Sequence, residues 1–119
     1  MKFTQTQKIG SYGEVLAARH LRVKGYEILS ANFRTSAGEI DIIAEIDGII
    51  CFVEVKSRQA GQMFSPGEAV DIDKENRIKI TASHFLAKEK INNDIRFDII
   101  EVVFENDRKF SLNHIEGAF

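Results

Sequence analysis

One dipeptide, Asp47-Gly48, constrains this chain more than any other feature. It separates two apolar runs, Ala37 to Ile46 and Ile49 to Arg58, and Asp-Gly in that setting signals a two-residue hairpin loop. With those residues in the loop, Ile46 pairs with Ile49. Counting outward sets Asp41 opposite Glu54 and Glu39 opposite Lys56. Side chains two apart on a strand share a face, so these four charged residues project together, at the end of the hairpin far from the turn. The other face, with Ile40, Ile42, Val53 and Val55, reads as wholly apolar.

A charge within a sheet is costly unless it is paired or metal-bound. Directly opposed residues have Cα atoms about 4.5–5.5 Å apart. Two ionised carboxylates at ~5 Å repel by roughly 3 kcal/mol at an effective dielectric near 20. A cation, a shared proton or Lys56 must offset that repulsion. Carboxylate oxygens suit Mg²⁺ or Mn²⁺, and the Val55 carbonyl adds a further oxygen. Lys56 would then stand near a water nucleophile or a phosphate, to orient or deprotonate the water or to stabilise the transition state. The plainer reading is a solvent-facing strand on which Glu39 and Lys56 form an ordinary cross-strand pair, and isolated patterns of this length are common. The two acids facing each other across a turn favour the site.

The rest of the chain reads as one domain, residues 1–119, in the order α-β-β-β-α-β-β, an α/β fold with a central mixed sheet flanked by helices. Residues 7–24 read as a helix with Ile9, Val15, Leu16, Ala17 and Ala18 as its apolar stripe and Gly25 as its stop. Tyr26 to Arg34 reads as a strand. Gln59 to Gly67 is a loop with the only proline, Pro66, and with Met63 and Phe64 as a candidate wall of the site. A second helix starts at Asp73 and runs to about Lys90, with Ile78, Ala82, Phe85 and Leu86 on one face. Strands Ile95 to Phe104 and Lys109 to Ile115 follow, and Asp98 interrupts the first of them, where it is expected to pair with a base across the sheet.

The net charge of −2 argues against a protein that simply coats nucleic acid, but not against an enzyme whose acids hold cations. No stretch approaches the ~18 apolar residues of a membrane helix, and MKFTQTQKIG lacks the apolar segment of a secretory signal. A single cysteine, Cys51, sits between Ile50 and Phe52 and reads as a small core residue, in keeping with a cytoplasmic location. His20, His84 and His114 are spread too widely along the chain to suggest a metal cluster.

Asp41 followed by Glu54-Val55-Lys56 resembles the core of the PD-(D/E)XK nucleases, with Ile40 where that pattern has proline. A match over nearly the whole chain is carried by Gly10-x-x-Gly13-Glu14-x-x-Ala17, Gly25-Tyr26-x-Ile28-Leu29, Asn32-x-Arg34 and Gly38-Glu39-Ile40-Asp41. It continues through Phe52-Val53-Glu54-Val55-Lys56-x-Arg58, Arg96-Phe97-Asp98 and His114-Ile115-Glu116-x-Ala118-Phe119. These segments resemble the YraN family of small bacterial proteins, which is similar to archaeal Holliday-junction resolvases. The resemblance implies a restriction-endonuclease-like fold. It implies Glu14, Asp41 and Glu54 as metal ligands, joined by the Val55 carbonyl that the strand geometry offers, Lys56 as the residue that assists hydrolysis, and DNA, branched or damaged, as substrate.

Two glycines in the first helix cost about 1 kcal/mol each relative to alanine, which a close approach to a backbone or a phosphate would justify. Gln7, Ser11 and Tyr12 flank Glu14 and are candidates to face substrate. Arg34, Ser57, Arg58, Lys74 and Arg77 are candidate phosphate-holding residues, the last two on one face at a helix start, where anions are attracted. A homodimer engaging both strands, and DNA repair or recombination proteins, are the expected partners. The alternative to an enzyme is a non-catalytic module that keeps the nuclease fold and binds nucleic acid or a repair protein.

Overall fold

The protein is described by a computed structural model covering residues 5–62 and 71–119, with side chains from Ser11 onward. The elements are α1 (Gln5–Val23), β1 (Glu27–Thr35), β2 (Gly38–Ile46), β3 (Ile49–Gln59), α2 (Ile72–Lys88), β4 (Asp94–Asn106) and β5 (Lys109–Ile115). This is the order expected from the sequence. Met63, Phe64 and Pro66 lie outside the described residues.

The five strands form one mixed sheet in the order β1-β2-β3-β4-β5. Neighbours are antiparallel except β3 and β4, which run parallel. Parallel neighbours need a crossover connection, and α2 supplies it. Each helix covers one face. Leu16, Ala17 and Leu21 of α1 pack on Ile42, Ala44, Cys51, Val53, Ile100 and Val102. Ile78, Ala82 and Phe85 of α2 pack on Ile40, Ile43, Ile50, Phe52 and Phe97. Full burial of a side chain such as Leu21 or Phe52 is worth about 1.5–3 kcal/mol. The mixed sheet between two helices is consistent with a restriction-endonuclease-like fold.

Several local expectations change. Val15, expected in the apolar stripe of α1, is 54% exposed. The N-cap of α2 is Asp71 rather than Asp73: its side chain accepts the Lys74 N–H at 2.7 Å. Asp98, fully buried, does pair with bases. Its carboxylate accepts from Arg96 at 2.8 and 2.9 Å, lies 2.9 Å from His114 Nε2 on β5, and accepts the Gly117 N–H at 3.0 Å. That cluster ties the C-terminal segment to the sheet, aided by Ala118 N–H donating to Phe97 O and by the Phe119 ring stacked on Phe97. His20, distant in sequence, meets His114 edge to face.

The hairpin turn is as expected. Asp47 and Gly48 both have positive φ, 50° and 77°, the signature of a type I′ turn. The register runs from Ile46↔Ile49 to Ile42↔Val53 as counted, and there the ladder ends. The inferred pairs Asp41–Glu54 and Glu39–Lys56 therefore lie beyond it. Nor is the apolar face continuous. Ile42 and Val53 belong to the α1-side core, whereas Ile40 belongs to the α2-side core. Two residues of one strand thus face opposite ways, and the alternation breaks at Asp41. Opposite the break on β1, Asn32 adopts φ 54°, a left-handed conformation that asparagine tolerates better than most residues.

Candidate functional site

The site forms where β2 and β3 part. Asp41 Oδ2 accepts the Val55 N–H at 2.8 Å, so a side chain takes the place of a ladder acceptor. The N–H and C=O of one strand residue point to the same side. The Val55 carbonyl therefore also faces the gap. Burial pushes the Asp41 carboxyl up, the Val55 N–H acts against that, and Glu14, Glu54 and Glu39 push it further, to about 7.

Glu14 reaches this cluster from α1, on the other side of the sheet. Burial raises its pKa, Glu39 adds to the rise, and a hydrogen bond with Asn32 opposes it. With its amide nitrogen turned toward the acids, Asn32 donates to Glu14 Oε2 and Glu39 Oε1, both at 3.3 Å. Asn32 was visible in the sequence only as part of a family pattern. Its positioning role depends on a φ value that composition does not reveal.

The Glu54 side chain is largely enclosed, 11% exposed. Its Oε1 is ion-paired with Lys74 Nζ of α2, and its Oε2 is buried with no hydrogen-bond partner among the described residues. A cleft of about 550 Å³ opens here, lined by Glu39, Asp41, Glu54, Val55, Lys74 and Arg77 among others. Close packing sets the position of α2: a Cβ on Gly38 would lie 3.3 Å from Thr81 Oγ1 and 3.6 Å from Arg77 Cβ.

The remaining candidates are distributed around this centre. Lys56, half-buried, stands two residues beyond Glu54 on β3, in register with Glu101 of β4. Arg34 is exposed and bonds Glu39 at 3.3 Å. Lys74 and Arg77 line the cleft. Ser57 lies under α1 instead, its Oγ buried against the backbone of Gly13. This contact is the close approach that Gly13 permits. Arg58 Nη1 donates to the Gln62 carbonyl at 2.9 Å. Tyr12 stacks on Phe104 with ring centroids 5.5 Å apart, and Ser11 is exposed. The side chain of Gln7 lies outside the described residues. Cys51 is a buried thiol that burial pushes up to about 11, as a core residue should be.

The donor chemistry fits a hard divalent cation: carboxylate and carbonyl oxygens, one of them, on Glu54, buried and without a hydrogen-bond partner among the described residues. Among the described residues, however, no group of three or more His, Cys, Asp or Glu is placed to hold an ion as it stands. Glu54 is occupied by Lys74.

The family model described as uncharacterised protein family UPF0102 matches residues 13–102. The chain belongs to the UPF0102 family. A UPF0102 protein of Alkaliphilus oremlandii is 45% identical over 116 residues, covering 95% of this chain and 98% of its own length. One from Clostridium perfringens is 48% identical over 115 residues, covering 95% and 94%. The YraN-type resemblance read from the sequence holds at this family level. The matched UPF0102 span includes Glu14, Asp41, Glu54, Lys56, Lys74 and Arg77. No helix among the described residues is long and apolar enough to cross a membrane.

Proposed function

We propose that this UPF0102 protein is a metal-dependent endonuclease that hydrolyses phosphodiester bonds in DNA, branched or damaged DNA in particular. The fold and the Asp41…Glu54-Val55-Lys56 pattern support kinship with the PD-(D/E)XK nucleases and the archaeal Holliday-junction resolvases. The observation that carries the reading is Asp41, a carboxyl tethered by the Val55 N–H and pushed up to about 7 by burial and three neighbouring acids. Such a cluster is relieved by a cation. Asp41, Glu54, Glu14 and the Val55 carbonyl would hold Mg²⁺ or Mn²⁺, and the bound ion would supply an activated water and charge neutralisation at the phosphate. Lys56 would orient the attacking water; as the new bond to phosphorus formed, the bond to the leaving oxygen would break, and the leaving alkoxide would take up the proton given up by the water. Arg77 neutralises the substrate backbone.

The second reading is a non-catalytic module that binds nucleic acid or a repair protein. The Lys74–Glu54 ion pair favours it, because it satisfies one of the acids without a metal. Mn²⁺ titration by calorimetry on wild type and Asp41→Asn, followed by cleavage assays on branched DNA, separates the two. An endonuclease binds Mn²⁺ and cuts, and Asp41→Asn abolishes both while keeping the fold. Equally weak binding in both proteins, with no cleavage, would favour the binding module.

A further inference from the structure

We infer that Lys74 is a resident counter-ion of the cleft, which holds Glu54 while the site is empty and yields it when a divalent cation binds. This inference rests on the metal-site reading and concerns how that site is kept ready.

Helix starts favour negative charge, and the first turn of α2 carries Asp73 and Glu75 in keeping with that rule. Lys74 breaks it. It sits at the third helical position, where the macrodipole disfavours a cation, and the Asp71 cap fixes that turn through the Lys74 N–H itself. What offsets the unfavourable place is Glu54. The carboxylate side chain is 11% exposed, and the lysine side chain, 35% exposed, reaches in from the helix to pair with it. A buried carboxylate without a partner is strongly destabilising, so an empty site needs this contact. Yet the pairing is incomplete, since Glu54 Oε2 has no partner among the described residues. Asp41 likewise makes no ion pair among the described residues, and its oxygen is held by a backbone N–H alone. Lys74 therefore pairs with one oxygen of Glu54 and leaves the other, together with Asp41, for a second positive charge.

Lysine suits such an exchange better than arginine. It is a compact charge on a flexible stem, with no planar fork locking it to the carboxylate. Once released, the partly exposed side chain remains at the mouth of the cleft beside Arg77 and the start of α2, a place that attracts phosphate. Loading of the site and recruitment of a phosphate are then coupled through one side chain.

Competition is the measurable consequence. Mn²⁺ titration by calorimetry on wild type, Lys74→Met and Arg77→Met tests it. Arg77 removes the same charge from the same cleft without breaking a bond to Glu54, so it controls for general electrostatics. Lys74→Met is expected to tighten Mn²⁺ binding by roughly tenfold, several times more than Arg77→Met does. Lys74→Gln, which is neutral but keeps a hydrogen-bond donor for Glu54, is expected to behave like Lys74→Met and covers the case in which the methionine variant does not fold. Equal effects of the Lys74 and Arg77 variants, or no change at Lys74, would overturn the exchange while leaving the metal site standing. No Mn²⁺ binding by any of the proteins would remove the metal-site reading and this inference together.

Discussion

Asp41 and Val55 lie on neighbouring strands, yet they are joined by a side chain accepting a backbone N–H at 2.8 Å rather than by ladder pairing. The bond holds the carboxyl where burial and neighbouring acids raise its pKa to about 7. In the unfolded chain the same group titrates near 4. A folded value above the unfolded one means that the folded protein binds the extra proton between those limits. The resulting stability is complete below about pH 4 and is lost as pH rises through about 7. In chelator, the protein is therefore expected to lose up to about 4 kcal/mol between pH 4 and pH 8 from this group. Asp41→Asn should flatten that slope and be more stable than wild type at pH 8. Urea denaturation at both pH values checks this, and an unchanged slope in the variant would refute it.

Asp98 has the opposite sign. Burial alone would raise its pKa, but the hydrogen bonds from His114, Arg96 and Gly117 outweigh that and hold it at about 2. Its contribution is present above the unfolded value near 4 and is lost as pH falls toward 2, roughly 2 kcal/mol in all. Asp98→Ala removes the acceptor shared by Arg96, His114 and the Gly117 N–H, leaving Arg96 only its bond to the Tyr26 hydroxyl and the nearby Glu116 among the described residues, and is expected to cost about 3 kcal/mol at pH 7. Chemical denaturation at neutral pH, with thermal melts from pH 5 to 2, reads both effects. A variant within 0.5 kcal/mol of wild type, the range of about ±0.5 typical of surface changes, would contradict the role.

Gly13 and Ser57 are expected to be coupled. A Cβ on Gly13 would collide with Ser57 Oγ and lie 3.1 Å from Ser57 Cβ. Gly13→Ala should therefore destabilise the protein even though alanine favours a helix by about 1 kcal/mol. Ser57→Ala should be close to neutral, because the hydroxyl it removes is buried without a partner among the described residues. The double variant should be more stable than Gly13→Ala alone, with a coupling of about 1 kcal/mol. Strict additivity in a double-mutant cycle would show that α1 does not bear on β3 at this point.

Much of the architecture was legible because it is written in local terms. Asp47-Gly48 specifies a turn with two positive φ angles, which fixes the hairpin register out to Ile42 and Val53. Ile78, Ala82 and Phe85 mark one face of α2 by spacing alone. The structure departs from the sequence pattern where a local signal is ambiguous. Asp71 and Asp73 both look like helix caps, and only the hydrogen bond to the Lys74 N–H separates them. Val15 fits an apolar stripe by spacing, but the sheet meets α1 along Leu16, Ala17 and Leu21.

The sequence by itself determined the element order, the turn, the family and the acids that gather at one end of the hairpin. These follow from periodicity, from turn stereochemistry and from patterns a few residues long. Tertiary structure decided what those acids face. Strict alternation from the turn sets Asp41 against Glu54 and leaves Ile40 beside Ile42. In the folded protein the strands separate, Ile40 turns to the α2 side, and Asp41 is tied to a backbone N–H. Lys74, 20 residues after Glu54 in the chain, becomes the cation on that carboxylate. No spacing rule predicts that contact, because it depends on where a helix packs against a sheet. The packing is set by Gly38, Thr81 and the two cores, through contacts that form only once the chain is folded.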